Sequence, residues 1–324
     1  MSLKVLHLSP TPLVAAPGKL SRALRQAGHD SLCVALNDYP KNGPLHGKFI
    51  DDVTLLAEAS SEVKDLVDGF ARAADVIHIH NDLPASTVQW LRELSPRARF
   101  VYQVHSPLRE GPLYFERAPA LGLPISRHLV VGQYQPRHYP DYLAVPNLVL
   151  DEPFLAPRRD DEPLRVLFSP THSRTGRWNA KYSERLEKVL RTLHDLRRVE
   201  IVWPTAPLSP STLMALRRTC HVSIDEIMTG AFHQVSIEGL CAGNVVINRA
   251  DFFSKSMMAC CARAPELPPF VHADEGSIED VLIDLALSPR RTAELQAASF
   301  RYFDAHLRAD RLVNRFVHIY ETLH

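Results

Sequence analysis

Asp225-Glu226-Ile227-Met228-Thr229-Gly230-Ala231-Phe232-His233-Gln234-Val235-Ser236-Ile237-Glu238-Gly239-Leu240-Cys241-Ala242-Gly243-Asn244-Val245-Val246-Ile247-Asn248-Arg249 is the stretch that decides the fold. Gly230 can take backbone conformations that other residues resist. The proline-free segment after it, residues 232–242, is long enough for about three helical turns. Gly243 is well placed to end that helix, and residues 244–248 read as a short buried strand. The unit is therefore loop, helix start, short helix, strand.

A helix N-terminus offers free backbone N–H groups and the positive end of the helix dipole, which suits a phosphate. Glu238 lies inside this helix, flanked by Ile237 and Leu240, and Gly239 permits close packing. A carboxylate in that setting needs a partner, because an unpaired buried charge is costly. The vicinal hydroxyls of a ribose would serve. The other reading is an exposed Glu on a solvated helix face.

The chain around this stretch has 324 residues, 45% of them apolar, which suggests two domains of about 150 residues each. Its formal net charge is +0, from 37 basic and 37 acidic side chains, so nothing in the balance argues for non-specific nucleic-acid binding. Cys33, Cys220, Cys241, Cys260 and Cys261 show no metal spacing and sit in apolar segments, as reduced buried thiols do. Met1 to Leu6 runs straight into a strand, and no apolar run is long enough to span a membrane. The expectation is a cytoplasmic protein without a signal peptide, with docking at a membrane surface left open.

Residues 4–9, 19–27 and 31–36 read as strand, helix and strand, with Gly28 capping the helix and residues 10–18 a turn-rich loop. That loop holds only Gly18 and lacks G-x-G-x-x-G, which argues against a nicotinamide or flavin site. Residues 75–81, Asp-Val-Ile-His-Ile-His-Asn, form a strand with a polar carboxyl end, and residues 99–105 form another that ends at His105. Ligands of parallel sheets bind beyond the carboxyl ends of strands, where His80, Asn81, Asp82 and His105 fall. Each His could equally be a cap or face solvent.

A strand at 129–134 and Val145-Pro146-Asn147 close the first half, and residues 148–163, with three prolines and the charged run Arg158 to Glu162, read as a linker. A strand at 164–169 opens the second half. The loop after it carries Arg174, Gly176, Arg177 and Lys181, a set of cations suited to a pyrophosphate or else a solvated basic loop. His78 and His80 point the same way on a strand, but the sequence shows no third metal ligand near them. No metal site is expected.

Residues 75–80, His105, Val145-Pro146-Asn147 and residues 225–247 together resemble the GT-B-fold glycosyltransferases, specifically the retaining family-four group. The resemblance implies an α/β protein of two Rossmann-like domains with parallel sheets facing across a cleft, and a last helix crossing back onto the first domain. The expected boundaries are residues 1–150 for the acceptor side, 164–305 for the nucleotide-sugar side and 306–324 for that helix.

It further implies transfer of a sugar from a nucleotide diphosphate sugar, a co-substrate rather than a cofactor, with no metal. By the resemblance, Glu238 holds the ribose, and Gly230, His233 and Gln234 face the phosphates and sugar. Arg174, Arg177 and Lys181 hold the diphosphate, and His105 touches the sugar as the expected catalytic residue. Gly18, His80, Asn81 and Asp82 border the acceptor.

One departure stands out. The family's first Glu, eight residues before the second, is Gly230 here; Asp225 to His233 is closer to a branch with Asp-Gln-hydrophobic-x-x-Gly-x-Tyr-Gly. That keeps two other readings open, a catalytically silent nucleotide-sugar-binding or scaffold protein and a nucleotide-sugar epimerase. The acceptor (glycan, lipid-linked glycan or DNA base), the donor and the stereochemical outcome are not written in the sequence.

Overall fold

The computed structural model describes residues 2–38, 52–105, 117–169, 182–204 and 208–323. The chain divides into two compact units, Met1–Leu150 with Ala309–His324, and Asp151–Arg308. Each is a parallel sheet with helices, as two Rossmann-like domains require.

The first unit is built from β1 (Lys4–Ser9), α1 (Ala16–Gln26), β2 (Asp30–Ala35), β3 (Thr54–Leu55), α2 (Ser61–Ala73), β4 (Val76–His80), α3 (Ala85–Leu94), β5 (Arg99–Val104), α4 (Arg117–Ala120), β6 (Ile125–Val131) and β7 (Leu143–Val145). Its seven strands, all parallel, run in the order β3-β2-β1-β4-β5-β6-β7. Strand order reverses between β1 and β4, the place where doubly wound sheets bind ligands. β1, β4 and β5 are buried on both faces because helices cover both. β6 begins four residues before the expected 129–134 strand, since Ile125 pairs with Phe100 before a register shift.

Helix α11 (Ala309–Glu321) belongs to this unit. Leu312, Val313, Phe316, Ile319 and Tyr320 form its buried stripe. Arg315 Nη2 donates to the Ala144 carbonyl at 2.8 Å and Arg99 Nη1 to the Leu323 carbonyl at 3.0 Å, which ties down the middle of the helix and the chain just past its C-terminus.

The second unit comprises β8 (Leu164–Phe168), α5 (Glu184–Asp195), β9 (Val199–Val202), α6 (Pro210–Arg217), β10 (Val222–Ile224), α7 (Gln234–Cys241), β11 (Val245–Asn248), α8 (Phe252–Ala262), β12 (Val271–His272), α9 (Ile278–Leu287) and α10 (Pro289–Tyr302), the last followed by a π-helical turn, Phe303–Leu307. Its five parallel strands run β12-β11-β10-β8-β9, reversing between β8 and β10. Ser209 and Ser183 cap α6 and α5 through their hydroxyls.

Two departures from the sequence reading lie here. Arg158, in the stretch read as linker, is buried against the unit, and its guanidinium donates to the Leu285 and Ala286 carbonyls at 2.6 and 3.0 Å. Cys260 is exposed on α8, whereas the other four thiols are buried.

Candidate functional site

The decisive stretch follows β10. Helix α7 is shorter than residues 232–242, because His233 is its extended N-cap residue. The cap comes from afar. Asp225, one residue past β10, accepts the His233 backbone N–H at 2.6 Å and the Ser236 hydroxyl at 2.7 Å on Oδ2, and its Oδ1 lies 3.1 Å from His233 Nδ1. Burial alone would raise the Asp225 pKa; the charge of His233 and these hydrogen bonds outweigh it and hold the carboxyl below its ordinary value. The anion nearest the helix start is therefore the protein's own carboxylate.

The turn between β10 and α7 is shaped from inside. Buried Glu226 accepts the Met228 and Thr229 N–H groups at 2.7 and 2.9 Å and bonds the Thr229 hydroxyl. Gly230 has φ +83°, and a Cβ there would stand 3.4 Å from Asp251 Oδ2. Where the related signature has its first Glu, this backbone is left-handed, which L side chains resist. The Gly230 carbonyl accepts the Asp251 N–H at 3.0 Å and the Ser254 hydroxyl at 3.0 Å, which ties the turn to the start of α8. His233 Nε2 is buried and has no hydrogen-bond partner among the described residues. Asp225 thus fixes one ring nitrogen and aims the other.

Glu238 is neither solvated nor unpartnered. Its Oε2 lies 3.1 Å from Arg217 Nη2, with Arg217 at 0% and Glu238 at 17% side-chain exposure. Arg217 Nη1 donates to Ser223 Oγ at 3.0 Å, and Ser223 donates to Asn244 Oδ1 at 2.6 Å. Asn244 Nδ2 in turn reaches the Cys220 carbonyl at 2.6 Å. Gly239 is what lets α7 lie this close to the sheet: a Cβ would come within 2.8 Å of Val246 Cγ2 and 3.2 Å of Ser223 Cβ. Gly230, His233, Gln234 and Glu238 are so brought onto one turn and helix. Arg174, Arg177 and Lys181 lie outside the described residues.

In the first unit His80, Asn81, Asp82 and His105 do gather at the carboxyl edge of the sheet. His80 Nδ1 lies 2.9 Å from His105 Nε2, and Asn81 Oδ1 accepts the His105 backbone N–H at 2.6 Å. Asn81 is left-handed, φ 65°, and its N–H donates to the Gln103 carbonyl at 2.8 Å. Asp82 Oδ1 accepts the Leu83 N–H. Burial lowers the His105 pKa to about 4, so the ring is neutral at neutral pH. His80 and His105 border a small cavity with Gln103, Pro146, Asn147 and Phe316.

Gly18 is not in a loop. It sits in the first turn of α1, where a Cβ would meet Val53 Cγ2 at 2.7 Å, so its role is close packing of the helix against residues 52–53. Ahead of α1, Leu13, Val14 and Ala15 are all left-handed, with φ of 48°, 54° and 63°, a strained entry to the helix.

The expectation that His78 and His80 lack a third ligand is corrected. β1 and β4 pair with His7 opposite His78, and the ligand atoms of His7, His78 and His80 all lie within 4.8 Å of one another. The sequence could not place His7, because strand register sets its neighbours. Asp225 escaped for a similar reason: capping rules look one to three residues away, and this cap acts across eight. Arg217 reads as an ordinary last-turn cation, and arginine is almost never fully buried.

Asp225→Ala is expected to lower stability by about 2 kcal/mol, since it strips the acceptor from two N–H groups and a hydroxyl in a buried place. Asp225→Asn, which keeps one acceptor oxygen, should lose less. Urea unfolding midpoints of the two variants check this order.

No model of a known protein family matches the sequence, and no curated protein sequence does. Solved structures match along the whole chain. An α-glucosyltransferase in complex with UDP and a 13-mer DNA aligns with a TM-score of 0.63 at 10% identity, covering 99% of this chain and 100% of that one. Sucrose-phosphate synthase from Thermosynechococcus elongatus gives 0.63 at 11% identity over 99% of both chains. A glycosyltransferase from Rickettsia africae gives 0.58 at 11% identity, covering 100% and 99%. The chain has the GT-B fold of these glycosyltransferases. Among the described residues no helix is long and apolar enough to cross a membrane.

Proposed function

We propose that the protein is a glycosyltransferase that binds a nucleotide diphosphate sugar on the turn and helix start after β10. The observation that carries the reading is the Asp225–His233 pair: a buried carboxylate orients an imidazole whose Nε2 has no partner among the described residues. When protonated, an imidazole so held donates from Nε2 to a diphosphate oxygen, and the N-terminal end of α7 adds its dipole there.

Leaving-group charge develops on that diphosphate during sugar transfer, and fixed donors stabilise it without reorganising. Arg174, Arg177 and Lys181 are assigned to the same diphosphate by their place after a strand. Glu238, held by Arg217, is assigned to the ribose hydroxyls, and His105 to the sugar. With fixed cations in that role, the transfer we propose needs no metal. The acceptor, a glycan, lipid-linked glycan or DNA base, is left to experiment.

The left-handed backbone at Gly230 favours a second reading, a nucleotide-sugar-binding protein without turnover, because a glutamate in contact with the sugar is missing.

The test is thermal unfolding with a panel of nucleoside diphosphates and their sugars, starting with UDP, the nucleotide bound by a protein of this fold. A ligand at about a hundred times its Kd stabilises the native state by about 2.7 kcal/mol. One nucleotide is expected to raise the melting temperature of the wild type and to have little effect on His233→Ala or Glu238→Gln. No shift with any nucleotide sinks the assignment. A shift without release of nucleoside diphosphate from the sugar donor favours the second reading.

A further inference from the structure

His7 and His78 have no part in the proposed transfer, yet both are wholly buried with His80 in the first unit. We propose that His7, His78 and His80 form a binding site for one divalent transition-metal ion of the zinc class. The proposal is independent of the nucleotide-sugar reading.

Register makes the site. His7 on β1 is the partner of His78 on β4, and His80, two residues along β4, faces the same way. His7 Nδ1 and His80 Nε2 are 3.1 Å apart. Two nitrogens on one tetrahedral ion, at ordinary Zn–N lengths, lie about 3.3 Å apart. His78 completes a set whose ligand atoms are all within 4.8 Å of one another.

Ring-nitrogen accounting points to a cation. A neutral imidazole carries one N–H and one lone pair. His7 Nε2 and His78 Nε2 are buried without a hydrogen-bond partner among the described residues. Left so, each is a desolvated polar atom with nothing in return. A shared ion takes up the lone pair of His78 Nε2, while His7, whose Nδ1 faces His80, would keep its proton on Nε2.

The outer contacts fit as well. His78 Nδ1 lies 2.8 Å from Tyr320 Oη, and His80 Nδ1 lies 2.9 Å from His105 Nε2. Metal-bound histidines ordinarily engage the second ring nitrogen in this way, which fixes the tautomer. Three imidazoles without a carboxylate suit Zn²⁺, Cu²⁺ or Ni²⁺ rather than Mg²⁺ or Ca²⁺.

The experiment is metal analysis of the full chain, purified without a metal-affinity tag and passed over a chelating resin. Because the site is buried, Zn²⁺ or Co²⁺ is added both to the folded protein and during refolding from urea. The expected result is about one equivalent of metal per chain, the visible bands of tetrahedral Co²⁺, and a melting temperature that rises with Zn²⁺ concentration. His7→Gln and His78→Gln should lose all three, and Asp225→Asn, in the other unit, should keep them.

Uptake below about a tenth of an equivalent in both preparations overturns the proposal. So does equal uptake by the folded His variants. If those variants do not fold, the wild-type Co²⁺ spectrum decides: without tetrahedral bands the three imidazoles are a hydrogen-bonded chain and no more.

Discussion

Glu238→Ala is expected to destabilise the second unit by about 3–5 kcal/mol, the cost of breaking a buried ion pair by removing one side of it. The size follows from which partner remains. Arg217, a guanidinium cation, is wholly buried at the end of α6. Without Glu238 its Nη2 loses the carboxylate, while its Nε already has no hydrogen-bond partner among the described residues. Arg217→Met leaves the other half, a glutamate that is 17% exposed and can hydrate, so that variant should lose less. Arg217→Met with Glu238→Ala removes both charges and should recover much of the stability. Urea unfolding of the four proteins gives the coupling as a double-mutant cycle. Additive costs would mean that the 3.1 Å pair carries no coupling and that Arg217 is satisfied by Ser223 alone. The same argument sets the choice of variant for nucleotide binding: Glu238→Ala confounds a lost ligand contact with lost stability, and Glu238→Gln retains the side chain's shape.

What could be read from the sequence was what depends on neighbours along the chain. The apolar runs at residues 4–9, 75–80 and 164–168 announce buried parallel strands, and Gly243 announces the end of α7, because both signals lie within a few residues of what they specify. The chemistry of the candidate site depends on contacts between elements. Asp225 meets His233 across the turn, Arg217 meets Glu238 from a different helix, and His7 meets His78 across the sheet. Composition rules point the wrong way for two of these, since a fully buried arginine and a cluster of buried histidines are both rare. Gly18 shows the same limit from the other side. A lone glycine after a strand suggests a ligand loop, and only the approach of Val53 reveals it as a packing glycine inside a helix. Resemblance supplied the element order and the place of Glu238, but not the arginine that holds it.

Gly243→Ala should cost about two to three times as much as Gly28→Ala, although both glycines end helices in the left-handed region, with φ of +64° and +87°. The conformational penalty is shared, about 1–2 kcal/mol for an L-residue at positive φ. The surroundings are not. Gly28 has no heavy atom within 4 Å of where a Cβ would stand. At Gly243 the same methyl would lie 2.4 Å from the Phe154 carbonyl oxygen and 3.2 Å from Leu155 Cα. Those neighbours are backbone and cannot rotate away. The Phe154 N–H donates to the Cys241 carbonyl at 2.8 Å, so moving the strand of chain outward breaks a bond at the end of the same helix. Overpacking of this kind adds about 1–3 kcal/mol, which brings Gly243→Ala to about 2–5 kcal/mol in all. Gly28→Ala should stay near the conformational cost alone. Denaturant midpoints of the two variants, read with a probe in each unit, separate the terms. Equal losses would mean that residues 154 and 155 yield at no cost, and that the close approach to Gly243 does not hold α7 in register against β11.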